Sequence, residues 1–160
     1  MSTAIIITGT ICSGKTTISK KISEYLSINF LSEENVSPKG LMSILKEIQS
    51  GKFTDIVLIE HANILNFIDD IADYFDKLII ILLNVSETVL TYNMNTRKQN
   101  NAIGDYLNID IFETKREIQQ QFENLKYNKI TYVADIIKNN DYDIEFKNII
   151  EFLSVYIQTE

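Results

Sequence analysis

Near its start the chain runs from Ala4-Ile5-Ile6-Ile7-Thr8, through Gly9-Thr10-Ile11-Cys12-Ser13-Gly14-Lys15-Thr16, to a stretch with Ile18, Ile22 and Leu26 spaced four apart. An apolar run without charge suits a strand buried on both faces. Apolar residues four apart suit one face of a helix. The segment between them carries glycine, four free positions, then glycine, lysine and a hydroxyl residue, a pattern whose spacing has a chemical reason. Gly9 lets the chain turn sharply off the strand, and the N–H groups of Ile11, Cys12 and Ser13 can then curl around an anion. Gly14 permits main chain to approach that anion closely, and the helix that follows aims its positive end at it. Lys15 reaches the outer phosphates of a nucleoside triphosphate as a point charge. The Thr16 hydroxyl is a magnesium ligand, and Thr17 is placed to touch the innermost phosphate. The segment therefore predicts MgATP binding.

The rest of the chain alternates in the same way. Short apolar runs at Ile28–Leu31, Asp55–Glu60, Lys77–Leu83 and within Ile130–Lys138 read as strands. Helices are expected after Pro38 (Lys39–Gln49), over Ala62–Tyr74 with Ile64, Ile68 and Ile71 inward, and over Asn84–Lys98, opening near the Ser86-Glu87 capping pattern. Two more are expected over Ile109–Leu125 and Ile144–Ile157, with a mobile polar loop at Gln99–Asp105. Five strands alternating with helices predict an α/β fold: a doubly wound five-stranded parallel sheet flanked by helices, with a short lid. No repeat, low-complexity tract or linker interrupts it, so residues 1–160 read as one domain.

Bulk properties narrow the function. The net charge is −7, with only two arginines, Arg97 and Arg116. An acidic surface repels a polyphosphate backbone at long range, which argues against a nucleic-acid partner, while a small phosphorylated ligand needs only a local positive pocket. Apolar runs are too short to cross a bilayer. No leader pattern is visible, and Cys12, the single cysteine, has no partner for an internal disulfide. These features favour a reducing, cytoplasmic setting. Nothing in the sequence argues for an oligomer.

A phosphate loop alone does not name a reaction. The D-x-x-G and N-K-x-D segments of switch GTPases are absent, and transporter, motor and ring ATPases need more chain. Compact kinases remain. GTICSGKTT, DIVLIEHANIL, KLIIILLNVSETVLTYNMNTRK and ADIIKNNDYDIEFKNIIEFL, in that order, resemble the P-loop kinases of the nucleoside monophosphate kinase type. The closing stretch is similar to dephospho-CoA kinases and phage deoxynucleotide kinases. The resemblance spans nearly the whole chain, though only the phosphate loop is specific.

The resemblance implies a role for each matching position. Arg97, with Lys98, falls where a lid cation closes over the transferring phosphoryl group. Glu60 ends the third strand, where a carboxylate can hold magnesium's water shell or face the acceptor. Glu33 and Glu34 follow the second strand, where a carboxylate positions or deprotonates the acceptor. Asn139 and Asn140 follow the fifth, near the adenine. Arg116, three residues after Glu113, reads as a surface ion pair. His61 reads as a loop histidine and Cys12 as a small filler.

Two departures stand out. Family members usually carry several arginines around an acceptor phosphate, and the span between first helix and third strand is short here. The expected activity is ATP-dependent phosphorylation of a small molecule, a nucleotide or nucleoside first. A kinase of polynucleotide 5′ ends or of the dephospho-CoA type is the enzymatic alternative. A nucleotide-binding regulatory module without turnover is the alternative of a different class.

Overall fold

The computed structural model describes residues 2–100, 110–125 and 130–157. Its centre is a five-stranded sheet in the order β2-β3-β1-β4-β5, with every neighbouring pair parallel. The strands are β1 (Thr3–Thr8), β2 (Asn29–Leu31), β3 (Ile56–Glu60), β4 (Lys77–Val85) and β5 (Ile130–Ile136). The helices are α1 (Lys15–Leu26), α2 (Leu41–Gln49), α3 (Ile68–Ala72), α4 (Glu87–Gln99), α5 (Ile111–Glu123) and α6 (Asp141–Tyr156).

The apolar residues of the central strands alternate between two cores because successive side chains of a strand point to opposite faces. Ile5, Ile7, Ile79, Ile81 and Leu83 pack with Ile18 and Ile22 of α1, Val89 and Leu90 of α4, and Ile149 and Leu153 of α6. Ala4, Ile6, Val57, Ile59 and Ile80 pack on the opposite side with Ile44 and Ile48 of α2, Ile71 of α3 and Ile118 of α5. With both faces covered, all six residues of β1 are buried, which is why the sequence there carries no charge. Among the described residues no helix is long and apolar enough to cross a membrane.

Several boundaries differ from the sequence expectation, each for a local reason. β4 continues to Val85 because β5 pairs with it that far, and Asn84 Nδ2 donates to Asp135 Oδ1 at 2.8 Å. α4 then starts at Glu87, with the Ser86 hydroxyl accepting from Val89 N–H. The helix expected over Ala62–Tyr74 is a 3₁₀ turn, Ile64–Phe67, followed by the short α3. Its apolar spacing was informative, since Ile64, Ile68 and Ile71 are all buried. However, the chain leaving β3 is held tightly: Thr8 Oγ1 donates to Ala62 O, and Asn63 N–H donates to His61 Nδ1. α2 opens at Leu41 after Gly40, whose φ of 137° belongs to glycine, rather than directly after Pro38. α5 opens at Ile111, capped by the Asp110 carboxylate, which accepts from Phe112 and Glu113 N–H. α6 begins three residues earlier than expected, because Asp141 Oδ2 accepts from the N–H groups of Ile137 and Lys138 and ties the β5–α6 turn to the helix start. The expected loop at Gln99–Asp105 lies, beyond Asn100, outside the described residues.

Candidate phosphate-transfer site

The carboxyl ends of β2, β3 and β1 lie side by side, and their registers set which loops meet. Ile7 of β1 is level with Glu60 of β3, and Leu31 of β2 is level with Ile59. The loop after β1, the Glu60-His61 corner and the Glu33 turn therefore share one edge, where open α/β sheets bind ligands.

The loop needs its two glycines. A Cβ on Gly9 would lie 2.9 Å from Ser13 Oγ and 3.2 Å from Leu83 O. Gly14 has φ +81°, and a Cβ there would come within 2.9 Å of the Tyr142 ring. Gly14 also caps α1 without any side-chain hydrogen bond, leaving the first-turn N–H groups free to face an anion. Ser13 and Cys12 are buried within the loop, and Cys12 takes a φ of 66°. Ile11 is half-buried and Thr17 exposed.

Lys15 leaves the loop with its Nζ 3.4 Å from Thr10 O. Burial pushes its pKa below the ordinary lysine value. The Glu60 carboxylate opposes that shift, Arg97 adds to it, and Glu33 also acts on it from nearby. A cation held at such a cost fits a place where an anion docks. Beside it, Thr16 Oγ1 donates to Glu60 Oε1 at 2.5 Å, and Glu60 is buried at 5% exposure. This hydroxyl and carboxylate are hard oxygen donors, and magnesium takes one or two protein ligands with the rest from phosphates and water. The pair fits such an ion. Among the described residues no cluster of three or more His, Cys, Asp or Glu side chains could hold one alone, so binding would depend on the phosphates.

The structure places Glu33 in a 3₁₀ turn after β2, with Oε1 2.5 Å from His61 Nε2. Glu34 is exposed. Arg97 is half-buried on α4 and lines a cavity of about 310 Å³ with Cys12, Gly14, Thr17, Tyr142 and Phe146. Asn139 is exposed in the β5–α6 turn, where only its backbone carbonyl is engaged, by Tyr142 N–H at 3.5 Å, and it does not line that cavity. Arg116 is exposed, and no ion pair joins it to Glu113.

Two residues that the sequence did not single out brace the loop. Tyr142 OH donates to Ser13 O at 2.7 Å, and Asn93 Nδ2 donates to Cys12 O at 2.8 Å. These bonds fix the Ser13 and Cys12 carbonyls, while the Ser13 N–H donates within the loop to Thr10 O at 3.2 Å. Burial pushes the Tyr142 phenol up, and the contact with Asn93 partly offsets this. Tyr142→Phe removes two hydrogen bonds, to Ser13 O and from Asn93 Nδ2, and should destabilise the protein by about 1–2 kcal/mol. A lower urea midpoint and a several-fold weaker ATP affinity are expected; an unchanged affinity would show that the loop does not need this brace.

No protein-family model matches the sequence, and no curated protein matches it significantly. Solved structures do. A deoxyadenosine kinase from M. mycoides with bound dATP superposes with a TM-score of 0.66 at 18% identity, over 96% of this chain and 100% of that one. A sugar kinase from a Janibacter species gives 0.65 at 14% identity, over 97% and 96%. A gluconokinase from Sinorhizobium meliloti gives 0.56 at 16% identity, over 97% of each. The strand order, the glycine loop entering α1 and these superpositions agree: over nearly its whole length the chain has the fold of the P-loop kinases.

Proposed function

We propose that the protein is an ATP-dependent kinase, folded as one domain, that transfers the γ-phosphoryl group to a small molecule, a nucleoside or nucleotide first. The observation that carries this reading is the Thr16–Glu60 hydrogen bond beside Lys15, at the uncapped start of α1. A hydroxyl, a carboxylate and a lysine around one anion-binding turn are what positioning a triphosphate requires. That solved kinases of deoxyadenosine, sugars and gluconate share the fold supports the choice of a small acceptor.

In this reading the loop from Gly9 to Thr17 holds the phosphates and Lys15 draws charge off the outer two. Magnesium, held by Thr16 and directly or through water by Glu60, would neutralise charge between them. Arg97, which lines the cavity, stabilises the phosphoryl group in flight. Glu33 faces the acceptor, and Asn139 flanks the base end of the donor. Arg97→Ala should lower kcat about tenfold to 100-fold while shifting ATP affinity much less. Equal, small effects on both would remove Arg97 from this role.

The reading is tested by ADP formation from MgATP across nucleosides, nucleotides, sugars and coenzyme precursors. At least one acceptor should raise the rate well above ATP alone. Background rates throughout, with ATP still bound, would favour a nucleotide-binding module without turnover.

A further inference from the structure

We propose that the free edge of β5 is a dimer interface, where a second copy of this chain adds its own β5 antiparallel about a two-fold axis at Val133. The two edges of the sheet are built differently. β2 closes one side with only three residues, too short to template another chain. β5 closes the other with seven, Ile130–Ile136, and among the described residues it pairs with β4 alone. Exposed edges are commonly blunted by proline, lysine or a bulge. The run Ile-Thr-Tyr-Val-Ala-Asp-Ile has no proline and no lysine. Its register with β4 advances residue for residue from Ile79↔Ile130 to Val85↔Ile136, without a bulge.

Main-chain parity decides which residues of β5 a newcomer meets. Ile136 O accepts from Ser86 N–H at 2.8 Å, so Ile136 turns its main chain toward the β4 side. Successive residues of a strand turn their N–H and C=O groups to opposite sides, which aims those of Asp135, Val133 and Thr131 at the open edge. The side chains of these three are exposed, whereas Ala134 and Ile136 are buried in the core beneath α6. With the axis at Val133, Val133 meets Val133 of the second copy and Thr131 meets its Asp135. Each such pair exchanges N–H···O bonds in both directions. The side chains agree with this register. The Thr131 hydroxyl faces a carboxylate that is already held in place, since Asp135 Oδ1 accepts from Asn84 Nδ2 at 2.8 Å. Two valines stack on the axis, Tyr132 lies opposite the small Ala134, and Ile130 lies opposite Ile136. An axis at Asp135 would instead set two carboxylates face to face. One patch thus serves both subunits, as a two-fold interface requires.

The proposal does not rest on the kinase reading, and its test needs no turnover. The experiment follows the solution mass of the full chain by sedimentation equilibrium from micromolar to near-millimolar protein, with amide exchange at both ends of that range. Wild type should pass from monomer to dimer. Exchange at the N–H groups of Thr131, Val133 and Asp135 should then slow by about tenfold or more, while Tyr132 and Ala134, which face β4, should change little. Thr131→Glu sets like charges opposite each other and should weaken association by about tenfold; Thr131→Lys faces the same carboxylate and should tighten it several-fold. Residue 131 is exposed, so both variants should melt as the wild type does. The exchange readout uses wild type alone and stays decisive should a variant fold poorly. A chain that remains monomeric throughout would overturn the proposal. So would a dimer in which those three N–H groups exchange as fast as in the monomer, or equal effects of glutamate and lysine at residue 131.

Discussion

Replacing Lys15 with methionine is expected to lower kcat/KM for MgATP by at least about 10³-fold while slightly raising the melting temperature of the ligand-free protein. The two effects have one cause. Lys15 is the cation that burial penalises most clearly here, so its pKa in the folded chain lies below the ordinary 10.5. At neutral pH the folded state holds that proton less readily than the unfolded chain does, and stability is reduced accordingly. The penalty is fully present below the lowered pKa and disappears above 10.5, where neither state binds the proton. Methionine keeps the length of the side chain without the charge. A gain of about 1 kcal/mol would move Tm by roughly 2–4 °C at this size. The anion that offsets the penalty in the wild type can no longer dock, so MgATP should raise Tm in the wild type and not in the variant. The Tm difference between the two ligand-free proteins should also shrink as pH rises toward 10.5. A variant that still gains Tm from MgATP would place the triphosphate elsewhere.

Glu60→Gln should be the second most damaging change. Its carboxylate is buried, and Oε1 accepts from Thr16 Oγ1 at 2.5 Å. Glutamine preserves the shape and can still accept that bond through its carbonyl oxygen, so the fold should persist. What is lost is a negative charge at the point where hard oxygen donors meet the phosphates. A loss in kcat on the order of 100-fold to 1,000-fold is expected. ATP binding measured in EDTA should hold or tighten, because a carboxylate no longer faces the polyphosphate. The gain in ATP affinity on adding magnesium should shrink. If magnesium strengthens ATP binding as much in Glu60→Gln as in wild type, Glu60 has no part in holding the ion.

The phosphate loop was legible because its chemistry constrains residue type and spacing together: Gly9 and Gly14 sit where a Cβ would collide, and Lys15 follows at the helix start. The parallel sheet was legible for a similar reason, since β1 carries no charge and β4 is apolar and buried from Leu78 to Leu83. The contacts around the loop were not. Glu33 and His61 are 28 positions apart and meet only because β2 lies beside β3 in a register that aligns Leu31 with Ile59. Tyr142 and Ser13 are 129 positions apart. Asn93 faces the loop from the middle of α4, where an asparagine reads as an ordinary surface residue. Local pattern carries no record of such pairings: the sequence rightly put His61 in a loop but gave it no partner, and it passed over Asn93 and Tyr142. Asn139 shows the reverse limit: its side chain is exposed, so its proposed place beside the donor's base rests on its position in the β5–α6 turn alone.

The central claim is that Gly9 to Thr16 binds a triphosphate through its phosphates. A calorimetric titration of ATP with magnesium, repeated in the presence of tripolyphosphate and then of adenosine, tests it most directly. One ATP per chain is predicted, with tripolyphosphate competing for the site and adenosine competing weakly or not at all. ATP that binds no tighter than adenosine, or that tripolyphosphate fails to displace, would contradict the claim.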